Sequence, residues 1–309
     1  MRRLASAAAL LCALAVPPLS AQRAQTADVS ATLDRVSEAV QTYFARAQSI
    51  ICDETVRIQE IGADLLSGSS PARIVRNELR VSWEPAEDGE TTAPPVVLRS
   101  LISVNGRPPR AKDQDKCFDP AASSPELLGE LFLPENRAKF RVTGRPPGKV
   151  NGKRALVFDM VDLEKGPVFV EADENCAKFG KPGMTRSRVW VDAETYAVMR
   201  IEQSLTRPYD VTIPADRKAR RVARDLTVER SDHSITYKLV AFTDPDESIL
   251  LPATFDTVQV LRNSAGSPRM RITSNFRNFR RFMTGGRIVQ SSQVASRKSQ
   301  VAGRKPATP

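Results

Sequence analysis

The chain has 309 residues, with 46 lysines and arginines against 36 acids and a formal net charge of +10. Two of those cations, Arg2 and Arg3, sit in an N-terminal leader, and Arg287, Arg297, Lys298, Arg304 and Lys305 sit in an acid-free C-terminal tail; 46 less 2 and less 5 leaves 39 against 36 in between. A central region so nearly balanced excludes the basic surface of a nucleic-acid binder.

The leader joins Arg2 and Arg3 to an apolar run from Leu4 to Val16, a Pro17–Pro18 breaker and the small pair Ser20–Ala21. That is the layout of a secretory signal peptide, cleaved near Ala21. The run is too short to span a membrane, which takes roughly 20 apolar residues, and no later stretch comes close. Cys12 follows Leu11, where lipid attachment requires a small residue, so a lipoprotein is not expected. The expected location is periplasmic or secreted, with residues 1–21 the signal peptide, 22–283 one domain and 284–309 a disordered basic tail.

From Asp28 to about Gln48, Val29, Leu33, Val36, Val40 and Phe44 recur at helical spacing. This predicts an amphipathic helix capped by Asp28 or Ser30. The following run, IICDETVRIQEI, alternates with Cys52, Val56 and Ile58 on one face and Asp53, Arg57 and Gln59 on the other. After a Gly/Ser/Pro loop ending at Pro71, Val75, Leu79, Val81 and Trp83 alternate with Arg76, Glu78, Arg80 and Ser82. An acidic loop from Glu84 to Pro95 leads to a strand closing on Asn105–Gly106, a strong turn pair. Residues 107–123 read as irregular, and Ser124 to Phe132 as a short helix.

Strands resume with KFRVTG and, after Asn151–Gly152, RALVFDMVDLE, whose two apolar faces predict an interior strand. The clearest pattern in the chain follows. In RSRVWVDAETYAVMRIEQ, Val189 and Val191 oppose Arg188 and Trp190; past the Asp192–Tyr196 turn, Ala197, Met199 and Ile201 oppose Arg200 and Glu202. This is a hairpin with one buried and one wet face. Residues 207–225 are basic and read as an insertion loop or short helix. A final meander runs through ITYKLVAF, TFDTVQVL and MRITSNF, with Phe255 and Phe276 inward and a comb of Arg269, Arg271, Arg277 and Arg281 on the far face. One long helix, one short helix and eight to ten strands, roughly counted, predict a mostly β fold with α: a curled antiparallel sheet or incomplete β-barrel lidded by helices.

Three stretches carry a family resemblance: YFARAQSIICDETVR, RVWVDAETYAVMRIE, and LLPATFDTVQV with TSNFRNFRRF. The chain resembles the periplasmic lipoprotein-carrier superfamily, which holds LolA/LolB-like carriers and the sensor domain of an envelope-stress regulator, and is most similar to uncharacterised secreted acidobacterial proteins. The resemblance implies an incomplete barrel whose concave apolar face receives acyl chains.

Catalytic chemistry has few candidates. Any Ser–His–Asp or Cys–His site needs the single histidine, His233, which reads as a surface residue beside a turn. Asp113 with Asp115, Asp159 with Asp162, Glu171 with Asp173 and Glu174, and Asp244 with Asp246 read as solvated loop acids without metal-ligand spacing. Arg217, Lys218, Arg220, Arg221 and Arg224 read as a charged loop. In an oxidising compartment Cys117 and Cys176 are expected to pair, leaving Cys52 free and buried. The expectation is therefore a monomeric, non-enzymatic envelope protein with no cofactor, metal, nucleic-acid partner or transmembrane span. It would bind a lipid or a lipoprotein in a concavity lined by Val81, Trp83, Val189, Val191, Met199, Ile201, Phe255 and Phe276. The alternative is an envelope interaction or sensor module with a filled core that binds a protein partner.

Overall fold

The structure, a computed structural model, describes residues 19–47, 50–82, 96–110, 113, 127–172, 177–214, 223–243 and 246–281. Helix α1 runs from Leu19 to Ala47 and α2 from Leu127 to Phe132, followed by a 3₁₀ segment, Pro134–Lys139. The strands are β1 Ile50–Glu60, β2 Arg73–Ser82, β3 Val96–Val104, β4 Phe140–Val150, β5 Lys153–Asp162, β6 Phe169–Ala172, β7 Ala177–Gly180, β8 Thr185–Asp192, β9 Val198–Leu205, β10 Tyr209–Thr212, β11 Asp225–Thr243, β12 Asp246–Asn263 and β13 Arg269–Arg281.

Eleven strands form one antiparallel sheet in the order β3-β2-β1-β13-β12-β11-β9-β8-β5-β4, with β10 attached to β11, while β6 and β7 pair separately. Its edges, β3 and β4, do not pair, so the sheet is curled and open rather than a closed barrel. The two Asn–Gly turns form as the sequence requires. Asn105 and Gly106 have φ of 49° and 77°, and Asn151 and Gly152 have 50° and 80°, the left-handed pair that a type I′ turn demands and that Asn–Gly adopts with least strain.

Helix α1 begins at Leu19 rather than near Asp28, and buries the predicted stripe of Leu33, Val36, Val40 and Phe44. With Leu128, Leu131 and Phe132 of α2, that stripe covers Val189, Val191, Ile201, Ile235, Phe255 and Phe276 on the concave face, forming the main core. Burial of such side chains at about 1.5–3 kcal/mol each holds the helices onto the sheet. Arg137 fastens the N-terminal half of α1 to the 3₁₀ segment by donating to Asp34 and to the Ser30 carbonyl at 2.6 Å.

Several elements differ from the sequence reading. Thirteen strands occur among the described residues, not eight to ten, because three short ones, β6, β7 and β10, lie in stretches that read as loops. The 207–225 segment includes β10, whose Tyr209 and Val211 pack with Met184, Leu226 and Val228 in a small separate cluster. The β8–β9 hairpin forms, but its register slips between Trp190 and Val191, so Val198 pairs with Val191 while Arg200 pairs with Trp190. Met199 is the extra residue of this bulge. Val198 therefore joins Ile201 in the core, and the expected Ala197–Met199–Ile201 face is broken. The predicted interior strand, β5, lies one strand in from the β4 edge.

Candidate ligand-binding cavity

The two longest strands build the site. β11 pairs with β9 only from His233 to Thr236, and β12 pairs with β13 only from Thr254 to Val260. Beyond those points, from Tyr237 to Thr243 and from Asp246 to Pro252, the two strands pair with each other and with no other strand among the described residues. This two-stranded arm leaves the sheet and ends against α1. Arg281 of β13 donates to Glu247 near its tip, and Arg46 of α1 lies 3.8 Å from the same carboxylate.

Between the arm, the C-terminal half of α1 and the turn at the end of β8 is a cavity of about 620 Å³. Ala39, Val40 and Tyr43 line it from α1, Val198 and Met199 from β9, and Tyr237, Leu239, Ile249 and Leu250 from the arm. Arg46, Lys153, Lys238 and Asp192 are the ionisable side chains of its described lining other than the tyrosines. Its volume falls within the roughly 300–1,000 Å³ of ordinary small-molecule sites. A second, narrow crevice of about 40 Å³ shares Tyr43 and Leu128 with the first and is walled by Phe44, Ile50, Cys52, Leu79, Leu251, Phe276 and Phe279. Leu239 stands 60 % exposed on the arm.

Of the residues expected to line a concavity, Met199 reaches the larger cavity and Phe276 the crevice. Val189, Val191, Ile201 and Phe255 are buried in the main core beneath α1. Val81 lies on β2 opposite Val97, whereas Trp83, Cys117, Cys176 and the 284–309 tail fall outside the described residues. Cys52 is free and buried. Burial, and then the Glu54 and Asp53 carboxylates, push its thiol up to about 12, so at neutral pH it is a small apolar side chain rather than a nucleophile.

The sequence reading missed Glu54. It falls on the same face of β1 as Cys52 and Val56 and is 1 % exposed. Arg99 of β3 donates to it at 2.9 Å and Asn77 of β2 at 3.0 Å. Arg99 and Asn77 are themselves buried, so three adjacent strands share one polar cluster within the concave wall. The signal was present in the alternation, which puts a glutamate among inward positions.

Two expectations about polar residues are corrected. His233 lies in the middle of β11, not beside a turn. Its ring nitrogens are each 3.0 Å from a hydroxyl, those of Ser231 and Thr257, and its ring stacks on Phe255 at 5.8 Å. Burial lowers its pKa, which makes it a neutral, hydrogen-bonded wall residue. Asp113 is not a solvated loop acid: it is buried, accepts Arg107 at 2.7 Å and 3.1 Å and the Arg110 N–H at 2.9 Å, and is held well below the usual carboxylate range by those bonds.

The convex face carries a trough of about 620 Å³, and several of its charges are paired within or between strands. Asp159 accepts Arg188 at 2.7 Å and Arg145 at 2.6 Å, and its pKa falls accordingly, chiefly through Arg188. Arg230 is paired with Asp232, and Arg271 lies 3.5 Å from Asp256. The predicted arginine comb is divided: Asn278, with φ of 51°, breaks the β13 alternation, and Arg281 turns inward toward Glu247.

No helix among the described residues is long and apolar enough to cross a membrane, and no cluster of three or more metal-ligating side chains occurs among them. No family model matches the chain, and no curated protein does. Solved structures similar to it include a DUF1329 family protein from Desulfovibrio piger, at 10% identity and a TM-score of 0.42 over 84% of this chain and 95% of that one. A LolA superfamily protein from Nitrosomonas europaea is similar at 7% identity and a TM-score of 0.34, over 82% and 93% of the two chains. The MucA/MucB complex of Pseudomonas aeruginosa contains a chain similar at 11% identity and a TM-score of 0.21, over 83% and 99%.

Proposed function

We propose that this protein is an exported, non-enzymatic binding protein of the cell envelope that takes up the acyl chain of a lipid or lipidated partner. The observation that carries this reading is the cavity of about 620 Å³ beside the β11–β12 arm, walled largely by apolar side chains that the fold does not fill. Apolar surface left uncovered inside a protein is stabilised by an apolar occupant. The leader pattern at residues 1–21 supports export.

The arm is the wall best suited to move. Helix α1 is held along its length by Leu33, Val36, Val40 and Phe44 in the main core, whereas the distal arm rests on a small cluster, Phe242, Ile249 and Leu251 against Ile50. The arm's backbone pairs only within itself among the described residues, an arrangement that is marginal for a ribbon in water. Entry would proceed by displacement of the arm, released when Glu247 loses Arg281 and Arg46. Reversible sequestration needs no catalytic group, and the acids nearest to a catalytic arrangement are each engaged in structural bonds: Asp113 by Arg107, Asp159 by Arg145 and Arg188, Asp162 by the Glu164 and Gly183 N–H groups. Titration with an acyl chain carrying an environment-sensitive fluorophore tests the proposal. Saturable uptake at one site per chain is the expected result, and no uptake at any concentration below micelle formation would refute it.

One observation favours a second reading, a protein-binding module. The two sheet edges are unlike. β4 is interrupted by Pro146 and Pro147 at a register shift, a common protection of edges. β3 contains no proline, and its Leu98 and Ile102 are 54 % and 52 % exposed. Such an edge accepts an added strand. Lysine at both positions should abolish capture of an envelope partner yet leave acyl uptake unchanged; retained capture would exclude β3 as the contact.

A further inference from the structure

The lining of the larger cavity specifies the ligand's head as well as its chain, an inference that rests on the acyl-binding reading above. Its described residues include three cations, Arg46, Lys153 and Lys238, and one carboxylate, Asp192. Asp192 has little capacity for a ligand cation. It is 7 % exposed, accepts the N–H groups of Glu194 at 2.9 Å and Thr195 at 3.1 Å, and lies 3.7 Å from Lys153. Lys238 donates to the Phe276 carbonyl at 3.3 Å, which leaves its ammonium further donors. Lys153 is 64 % exposed at the β4–β5 turn, where a head group would compete with Asp192 for its ammonium.

Tyr237 supplies an independent observation. It lines the same cavity and is 3 % exposed, and its phenolic oxygen, closed off from the cavity, has no hydrogen-bond partner among the described residues. Burying a hydroxyl without an acceptor costs free energy, and such groups in native proteins call for a functional or structural reason. An acceptor carried by a ligand is one. Oxygens of an acidic head accept from a phenol and are favoured by the lining cations, of which Arg46 and Lys153 already lie near Glu247 and Asp192; a choline-type head would meet cations and only carboxylates already engaged.

We propose that the ligand is a single-chain amphiphile with an acidic head, whose chain lies against Val198, Met199 and Leu250 and whose oxygens accept the Tyr237 O–H, which a shift of the arm uncovers, within the field of the lining cations Arg46, Lys153 and Lys238. The shared chemistry is the acidic oxygen, which a carboxylate or a phosphate ester provides.

Competition against the bound acyl fluorophore tests this with three probes that share a palmitoyl chain: palmitate, lysophosphatidylglycerol and neutral monopalmitoylglycerol. At low ionic strength at least one acid should compete about tenfold better than the neutral probe, and that advantage should shrink in high salt. Whichever acid competes better identifies the head as carboxylate or phosphate. Lys153→Gln with Lys238→Gln should remove the preference, bringing the acids down to the level of the neutral probe in the same variant. Tyr237→Phe should weaken the acids severalfold while raising the Tm of the ligand-free protein, because it removes a buried hydroxyl without an acceptor. A merely structural role for the tyrosine would lower Tm. Equal competition by neutral and acidic probes, or acid binding unaffected by Tyr237→Phe, would overturn the head-group assignment alone. Failure of all three probes to compete, with no uptake of the fluorophore, would overturn the acyl-binding reading with it.

Discussion

Tryptophan at position 39 is expected to abolish acyl uptake while leaving the fold intact. Ala39 lies on α1 within the lining of the larger cavity, so an indole there enters the space that the chain would occupy. The helix keeps Leu33, Val36, Val40 and Phe44 in the core, and the substitution removes none of their contacts. Stability should change by no more than about 1 kcal/mol, whereas affinity should fall by about two orders of magnitude, some 2.7 kcal/mol. Gln41→Trp is the control: Gln41 is exposed and lies outside the described lining, and uptake should match the parent chain. Equal uptake by both variants would place the ligand elsewhere.

The second large effect concerns stability. Glu54→Ala should destabilise the protein by about 3–5 kcal/mol, because the Arg99 guanidinium, only 4 % exposed, then loses its carboxylate in a buried site. That is a large fraction of the roughly 5–15 kcal/mol of a typical domain. Urea denaturation measures it. The double variant Glu54→Leu with Arg99→Met should recover most of the loss, since removal of both charges also removes their desolvation cost. A single-variant loss below about 1 kcal/mol would show that the pair is well hydrated, contrary to its geometry.

The fold was legible where the chain alternates strictly and turns on Asn–Gly. Val189 and Val191 against Arg188 and Trp190, and the turns at Asn105–Gly106 and Asn151–Gly152, specify a wet-faced antiparallel sheet from local pattern alone. The stripe from Leu33 to Phe44 likewise specifies a helix that must lie on something. The site was less legible, and for a physical reason. Alternation tells which side chains point inward, but an inward side chain becomes core or cavity wall according to what faces it. Ile201 packs in the core with the α1 stripe; Met199, two residues away and also buried, is displaced by a bulge and lines the cavity. The arm that completes the cavity arises where β11 and β12 outrun their neighbours, a matter of register between strands far apart in the chain. Glu54 was visible as a letter on an inward position, but its partners Asn77 and Arg99 come from strands 23 and 45 residues away. His233 shows the same limit, since its place in the middle of a long strand depends on pairing with Gln203 and Thr257.

Native mass spectrometry of the mature chain, purified gently from a bacterial periplasm, tests the acyl-binding account most directly. The account predicts a bound mass that disappears on denaturation and identifies as an acidic single-chain amphiphile, present in the parent protein and absent from the Ala39→Trp variant. A clean protein mass, together with no mass gain when palmitate or lysophosphatidylglycerol is supplied, would contradict it.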